Sequence, residues 1–168
     1  MVIDAATPAP QPDPVPAMLA FLEEIGIACD LVDLDGSTLL PGLRILQGRL
    51  LVDRARLMFP GDILHEAAHI AVSPAAERPH LGPDGLDNPG LEIAALAWSY
   101  AACLRLGMPP ELVFHADGYK GGGASILEAF SSGATLGQPL LAWMGLTTYG
   151  PGADPKQAFP VMARWLRG

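Results

Sequence analysis

From Ala17 to Ile25 the apolar side chains Met18, Leu19, Phe21, Leu22 and Ile25 recur at three- and four-residue spacing, which predicts a helix. Pro16 suits its first position, because a missing N–H costs nothing there, and Gly26 suits the residue just past its end. The pattern then shortens. Cys29 to Leu34, Leu43 to Leu46 and Leu50 to Val52 read as short strands separated by turns at Gly36 and Gly48, predicting a small, antiparallel sheet.

Pro60-Gly61-Asp62 opens a second helix, with Asp62 placed where a carboxylate offsets the positive end of the helix dipole, and Ser73-Pro74 closes it. Residues 73–90 hold too much proline and glycine for regular structure, and a loop of that length is more often functional than idle. A strongly apolar helix follows over residues 91–106, stopped by Gly107 and Pro109-Pro110. Beyond it, helical runs are expected near 110–115, 124–131, 138–145 and 155–166, joined by glycine-rich turns. The three tryptophans, Trp98, Trp143 and Trp165, and the methionines sit among aliphatic residues as core positions do. The pattern as a whole is that of an α+β chain, mostly helical, with its small antiparallel sheet ahead of the second helix.

Composition narrows this picture. The chain has 168 residues, half of them hydrophobic, enough for one domain over residues 17–168 with a sizeable core. Residues 1–16 carry proline at 8, 10, 12, 14 and 16, which favours an extended N-terminal arm. A net charge of −8 argues against nucleic acid as a partner, since that affinity comes from clustered Lys and Arg. No stretch approaches the roughly 18 apolar residues of a membrane span, and no secretory leader is evident, so the expected compartment is the cytoplasm, with no membrane partner. Cys29 and Cys103 both lie in apolar runs and read as reduced thiols, not as a disulfide.

The candidate chemistry lies in the second helix, in the run Leu64-His65-Glu66-Ala67-Ala68-His69-Ile70-Ala71-Val72. Residues four apart lie one above the other on a helix, so His65 and His69 can offer two imidazoles to one ion while Glu66 projects about 100° around. That arrangement suits Zn2+, which at catalytic sites takes three protein ligands and one water, with the adjacent glutamate accepting the water's proton. The apolar neighbours imply burial, and buried imidazoles and carboxylates need partners. Two histidines leave the set one ligand short. Glu92, the lone acidic residue at the head of the next apolar helix, is the best candidate, with His80, Asp84 and Asp87 on the intervening loop as alternatives. A glutamate that merely complements the dipole of that helix is the competing explanation for Glu92.

HEAAH followed one loop later by Glu92-Ile-Ala-Ala-Leu-Ala-Trp98 resembles the glutamate-zincin metallopeptidases, and most of all the small bacterial ImmA/IrrE-like branch. The likeness covers roughly residues 17–110. It implies a zincin-like domain in which a short sheet precedes the HExxH helix, with His65, His69 and Glu92 binding zinc and Glu66 as general base. It also implies a residue that stabilises the oxyanion, for which His115, Tyr119 and Lys120 in VFHADGYKGGGAS, or Tyr100, are candidates. Gly121-Gly122-Gly123 lacks the order of a phosphate-binding loop.

The expected function is a zinc-dependent metallopeptidase-like hydrolase acting on a peptide or protein substrate, which could pair with strand 50–52 as an added strand. A second reading takes Cys29 as third ligand, as in peptide deformylases, but GIACDLV lacks the polar flank of that family. A third is a non-catalytic domain in which metal binding serves stability or regulation.

Overall fold

The computed structural model describes residues 12–83 and 88–168, and among them forms a mixed α+β fold of five α-helices and a three-stranded sheet. The helices are α1 (Val15–Glu24), α2 (Asp62–Val72), α3 (Pro89–Arg105), α4 (Gly123–Ser131) and α5 (Gln138–Trp143). The strands are β1 (Cys29–Leu31), β2 (Leu43–Leu46) and β3 (Arg49–Val52). Most of the proline-rich arm lies outside the described residues, as do Asp84 and Asp87. Its last residues, Val15 and Pro16, belong to α1, with the Val15 N–H donating to Asp13 Oδ1 (3.1 Å).

β2 and β3 form an antiparallel hairpin through Gln47-Gly48, both with positive φ (51° and 73°), as two-residue hairpin turns require. β1 departs from the expected antiparallel sheet: it pairs parallel with β3, Cys29 opposite Leu50. Two chain reversals separate β1 from β3, one in the 32–42 connection and one in the hairpin, so the two strands run in the same direction. The strand order β1-β3-β2 also puts β3 in the centre. Its backbone is engaged on both sides, and strand 50–52 therefore has no edge to offer a substrate. β1 ends earlier than residue 34 because the Leu34 N–H donates to the buried Asp53 Oδ2 (3.0 Å) and not to a strand.

α2 and α3 pack against each other at the centre of the core, to which Ile63, Leu64, Ala67, Ala68, Ile70 and Ala71 of α2 and Ala94, Ala95, Ala97 and Trp98 of α3 belong. Small side chains on both helices let the two axes approach closely. α2 enters this packing through Gly61, where any Cβ would overlap the Leu112 backbone carbonyl. It leaves at Ser73, whose hydroxyl donates to His69 O (2.7 Å). α3 starts two residues earlier than its periodicity suggests, because Asn88 caps it: the side-chain oxygen accepts from Gly90 N (2.9 Å) and Leu91 N (3.3 Å), and Pro89 takes the first position. This cap fixes the first turn, in which Glu92 sits.

The C-terminal third differs most from expectation. Residues 110–115 shrink to a 3-10 turn at Pro110–Leu112, and 155–166 form no helix. Pro155 and Pro160 each remove a backbone donor that a helix there would use. The segment instead lays Phe159, Met162, Trp165 and Leu166 onto the core in turns. Trp165 joins Phe21 and Trp98 in an edge-to-face cluster, and the Trp98 indole N–H donates to Trp165 O (2.9 Å). Trp143 is not a core residue. In the short α5, Leu141 takes the buried face and Trp143, two positions on, turns outward, where Arg167 lies 5.0 Å over its ring. Met58 is likewise exposed. Cys29 and Cys103 are free, and burial pushes their thiols up to about 11 and about 12. Among the described residues, no helix is long and apolar enough to cross a membrane.

Candidate metal centre

His65, one turn into α2, and His69, one turn later, bring their Nε2 atoms to 3.2 Å from each other, with the rings edge to face. Glu92 reaches both from the first turn of α3: Oε2 lies 3.3 Å from His69 Nε2 and Oε1 3.6 Å from His65 Nε2. The tight α2–α3 contact carries this meeting, since it places the start of one helix against the middle of the other. Glu92 is less enclosed than a sequence reading of a buried carboxylate suggests. Its side chain is 44% exposed, because the site opens to a cleft on that side.

His65, Glu66 and His69 form a group that could hold a metal ion, with one donor atom from each within 4.8 Å of the others. The Glu92 carboxylate adds a fourth donor at comparable distance. Burial and charge shape all four groups. His65 is pushed down to about 3 by burial and then by His69, and burial lowers His69, so both imidazoles are neutral near pH 7 and offer lone pairs. Glu66 is pushed up to about 7 by burial and then by the negative charges of Asp62 and Glu92. Burial also raises Glu92. Two neutral imidazoles beside carboxylates that resist ionisation make a site where a cation relieves the electrostatic cost.

The donors line a cleft of about 760 Å3, together with Asp62, His115, Asp117, Tyr119 and Lys120. His115 is no ligand: its Nε2 lies 3.0 Å from Asp62 Oδ1, and its ring stacks on Phe59 at 3.9 Å. A Cβ on Gly118 would come within 3.1 Å of the same ring, so the chain passes close beside the imidazole there. Tyr119 and Lys120 follow, each with φ of 55°, a left-handed backbone that costs a non-glycine residue energy and is favoured where surrounding contacts impose it. The result is a tyrosine ring edge-on to His65 at 5.2 Å, with its buried hydroxyl lacking a hydrogen-bond partner among the described residues. Among the described residues, His65 Nδ1 and His115 Nδ1 likewise have no hydrogen-bond partner.

The remaining candidates stand elsewhere. Tyr100 stacks on Phe130 at 4.3 Å and on Phe159 at 6.1 Å, outside the cleft lining, which removes it from the site. It faces away because α3 turns Tyr100 toward α4 and the C-terminal segment. His80 is exposed and does not line the cleft, nor does Cys29 on β1. Sequence reading missed the partnership of Asp62 with His115. The available signal was spacing, since Asp62 lies four residues before Glu66 and three before His65 on the same helix face. Compared with known proteins, the chain matches no family model, no curated protein and no solved structure.

Proposed function

We propose that this chain is a zinc-dependent, zincin-like peptidase of the glutamate-zincin type, in which His65, His69 and Glu92 hold the ion and Glu66 is the general base. One observation carries the ligand assignment. A tetrahedral ion with bonds of 2.0–2.1 Å separates its ligand atoms by about 3.3–3.4 Å. The two Nε2 atoms lie 3.2 Å apart, and the Glu92 carboxylate straddles them, with Oε2 3.3 Å from His69 and Oε1 3.6 Å from His65, so all three side chains converge at the spacing of such a ligand set. Two imidazoles and a carboxylate are a donor set that suits zinc. Held by these residues, zinc would supply a Lewis acid able to polarise a carbonyl and to make a water more acidic.

The rest is the work of this chain's own residues. Glu66, beside both histidines on α2, takes the proton from the attacking water and returns it to the amine that leaves when the peptide C–N bond breaks. Tyr119 supports a third role, since its buried hydroxyl, without a partner among the described residues, can donate to the substrate's carbonyl oxygen as negative charge develops on it. His115, clamped by Asp62, Phe59 and Gly118, positions that loop. A purely structural zinc site closes with four protein ligands, whereas these donors face a roomy cleft, which favours the catalytic reading over a stabilising or regulatory one. An extended substrate has the outer edge of β2 available, preceded by the cleft-lining Leu39-Leu40-Pro41.

The test is Glu66→Gln. This variant should keep one zinc per chain by elemental analysis and lose hydrolysis of unfolded protein substrates by at least a hundredfold, because an amide cannot take the water's proton. Wild-type activity in the variant would overturn the assignment of Glu66.

A further inference from the structure

Four of the five α-helices among the described residues close their C-termini with their own chain. Each runs into a glycine of positive φ, Gly26, Gly107, Gly133 or Gly145, and the N–H groups of that glycine and of the next residue return to carbonyls of the last turn. α2, the helix that carries both histidines, has no such glycine. It passes through Ser73, extended at φ −74° and ψ 142°, directly into Pro74, which has no N–H to return to Ile70. The following N–H, that of Ala75, donates to Gly168 O (3.4 Å) and not to Ala71. Ala71 and Val72 are fully buried, and a buried carbonyl without a donor is costly. The end of the metal helix therefore has to be satisfied from elsewhere in the chain.

Arg167 supplies what α2 lacks. Its N–H donates to Ala71 O (2.9 Å) and its Nη1 to Val72 O (3.3 Å), while Ser73 Oγ donates to His69 O (2.7 Å). The arginine is itself held: Arg78 donates through Nη2 to Arg167 O and through Nε to Ser73 O (3.2 Å), and the Trp143 ring lies 5.0 Å from the Arg167 guanidinium. A cation at this place also complements the negative end of the helix dipole. The turn so capped is the one that carries His69. Resting on the ligand assignment above, we infer that Arg167 is a positioning residue of the metal site: docked on the end of α2, it holds the turn of His69 in register with His65 and Glu92. It acts only through the backbone of α2. Linkage makes the effect reciprocal, so that docking of Arg167 raises zinc affinity and zinc tightens the docking.

Zinc affinity is measured by chelator competition in the wild type, Arg167→Ala, Arg167→Lys and Val15→Ala, the last a change at a buried α1 residue outside the cap. Arg167→Ala should weaken zinc binding about tenfold, as the loss of a group that orients a ligand does, and Arg167→Lys, which keeps a cationic donor, should recover part of it. Val15→Ala should lower stability in urea and leave zinc affinity unchanged. Hydrogen exchange on the wild type needs no variant to fold: one equivalent of zinc should slow exchange of the Arg167 amide about tenfold more than that of the Leu50 amide, which donates to Ala28 O in the sheet. Unchanged affinity in Arg167→Ala, an equal loss in Val15→Ala, or an Arg167 amide whose exchange ignores zinc would each overturn the inference. A wild type that retains no zinc would overturn the ligand assignment and the inference with it, whereas the expected affinities without any hydrolysis would overturn the peptidase reading alone.

Discussion

Glu92 is the residue on which the metal site turns, because two histidines four apart occur in many helices that bind nothing. A glutamate in the first turn of a helix has an ordinary use in offsetting the dipole, and there it is worth about 0.3–1 kcal/mol. The position of this carboxylate, straddling both Nε2 atoms, goes beyond that use. Glu92→Ala should therefore weaken zinc binding by more than the roughly 10–100-fold typical of losing an outer partner of a ligand, while changing unfolding stability of the metal-free chain only slightly. Glu92→Asp, a methylene shorter on a capped first turn, should restore zinc binding in part. Competition with a chromophoric chelator measures both, and an unchanged affinity in Glu92→Ala would return this glutamate to the dipole role. At this scale the sequence was informative wherever a residue's cost was high. An isolated acidic group ahead of an alanine-rich helix and imidazoles in an apolar run both pointed to the site. Tyr100 and Tyr119 were indistinguishable in the sequence, because which of them meets the cleft depends on how α3 faces α4 and on the left-handed turn at 119–120.

Among the elements, those with their own start and stop chemistry were legible. Pro60-Gly61-Asp62 and Ser73-Pro74 bracket α2, and alternating apolar residues with the Gln47-Gly48 turn define the β2–β3 hairpin. The parallel pairing of β1 was not legible, because direction within a sheet follows from the path of the 32–42 connection and not from side-chain alternation. The C-terminal segment misled through its helical spacing, which served packing in turns interrupted by proline. The segment ties down α2 and α3: Arg167 N donates to Ala71 O (2.9 Å), Arg167 Nη1 to Val72 O (3.3 Å), and Trp165 packs edge-on against Trp98 of α3. Trp165→Ala should destabilise the chain by about 2–3 kcal/mol, below the range for fully enclosed tryptophans because Trp165 is only partly buried. Urea unfolding reads this directly, and a loss within experimental error would show that the strap carries no stability.

At the scale of the whole molecule, one core gathers α1, the sheet, α2 and α3, and the cleft opens where α2, the head of α3, the 35–42 turn and the 115–121 loop meet. That layout leaves the donor set facing an open cleft, which a sealed structural site lacks. The net charge of −8 adds a long-range attraction for a divalent cation, reinforced locally by Asp62, Glu66, Glu92 and Asp117 around the cleft. Everything proposed for the cleft depends on the ion being held by two imidazoles and one carboxylate. X-ray absorption at the zinc edge, on protein loaded with one equivalent, tests that most directly. The account predicts a shell of nitrogen and oxygen alone at about 2.0–2.1 Å, with outer-shell scattering from two imidazole rings that falls by half in His69→Ala. A sulfur contribution near 2.3 Å, a hydrated ion with no imidazole scattering, or failure to retain one equivalent of zinc would contradict it.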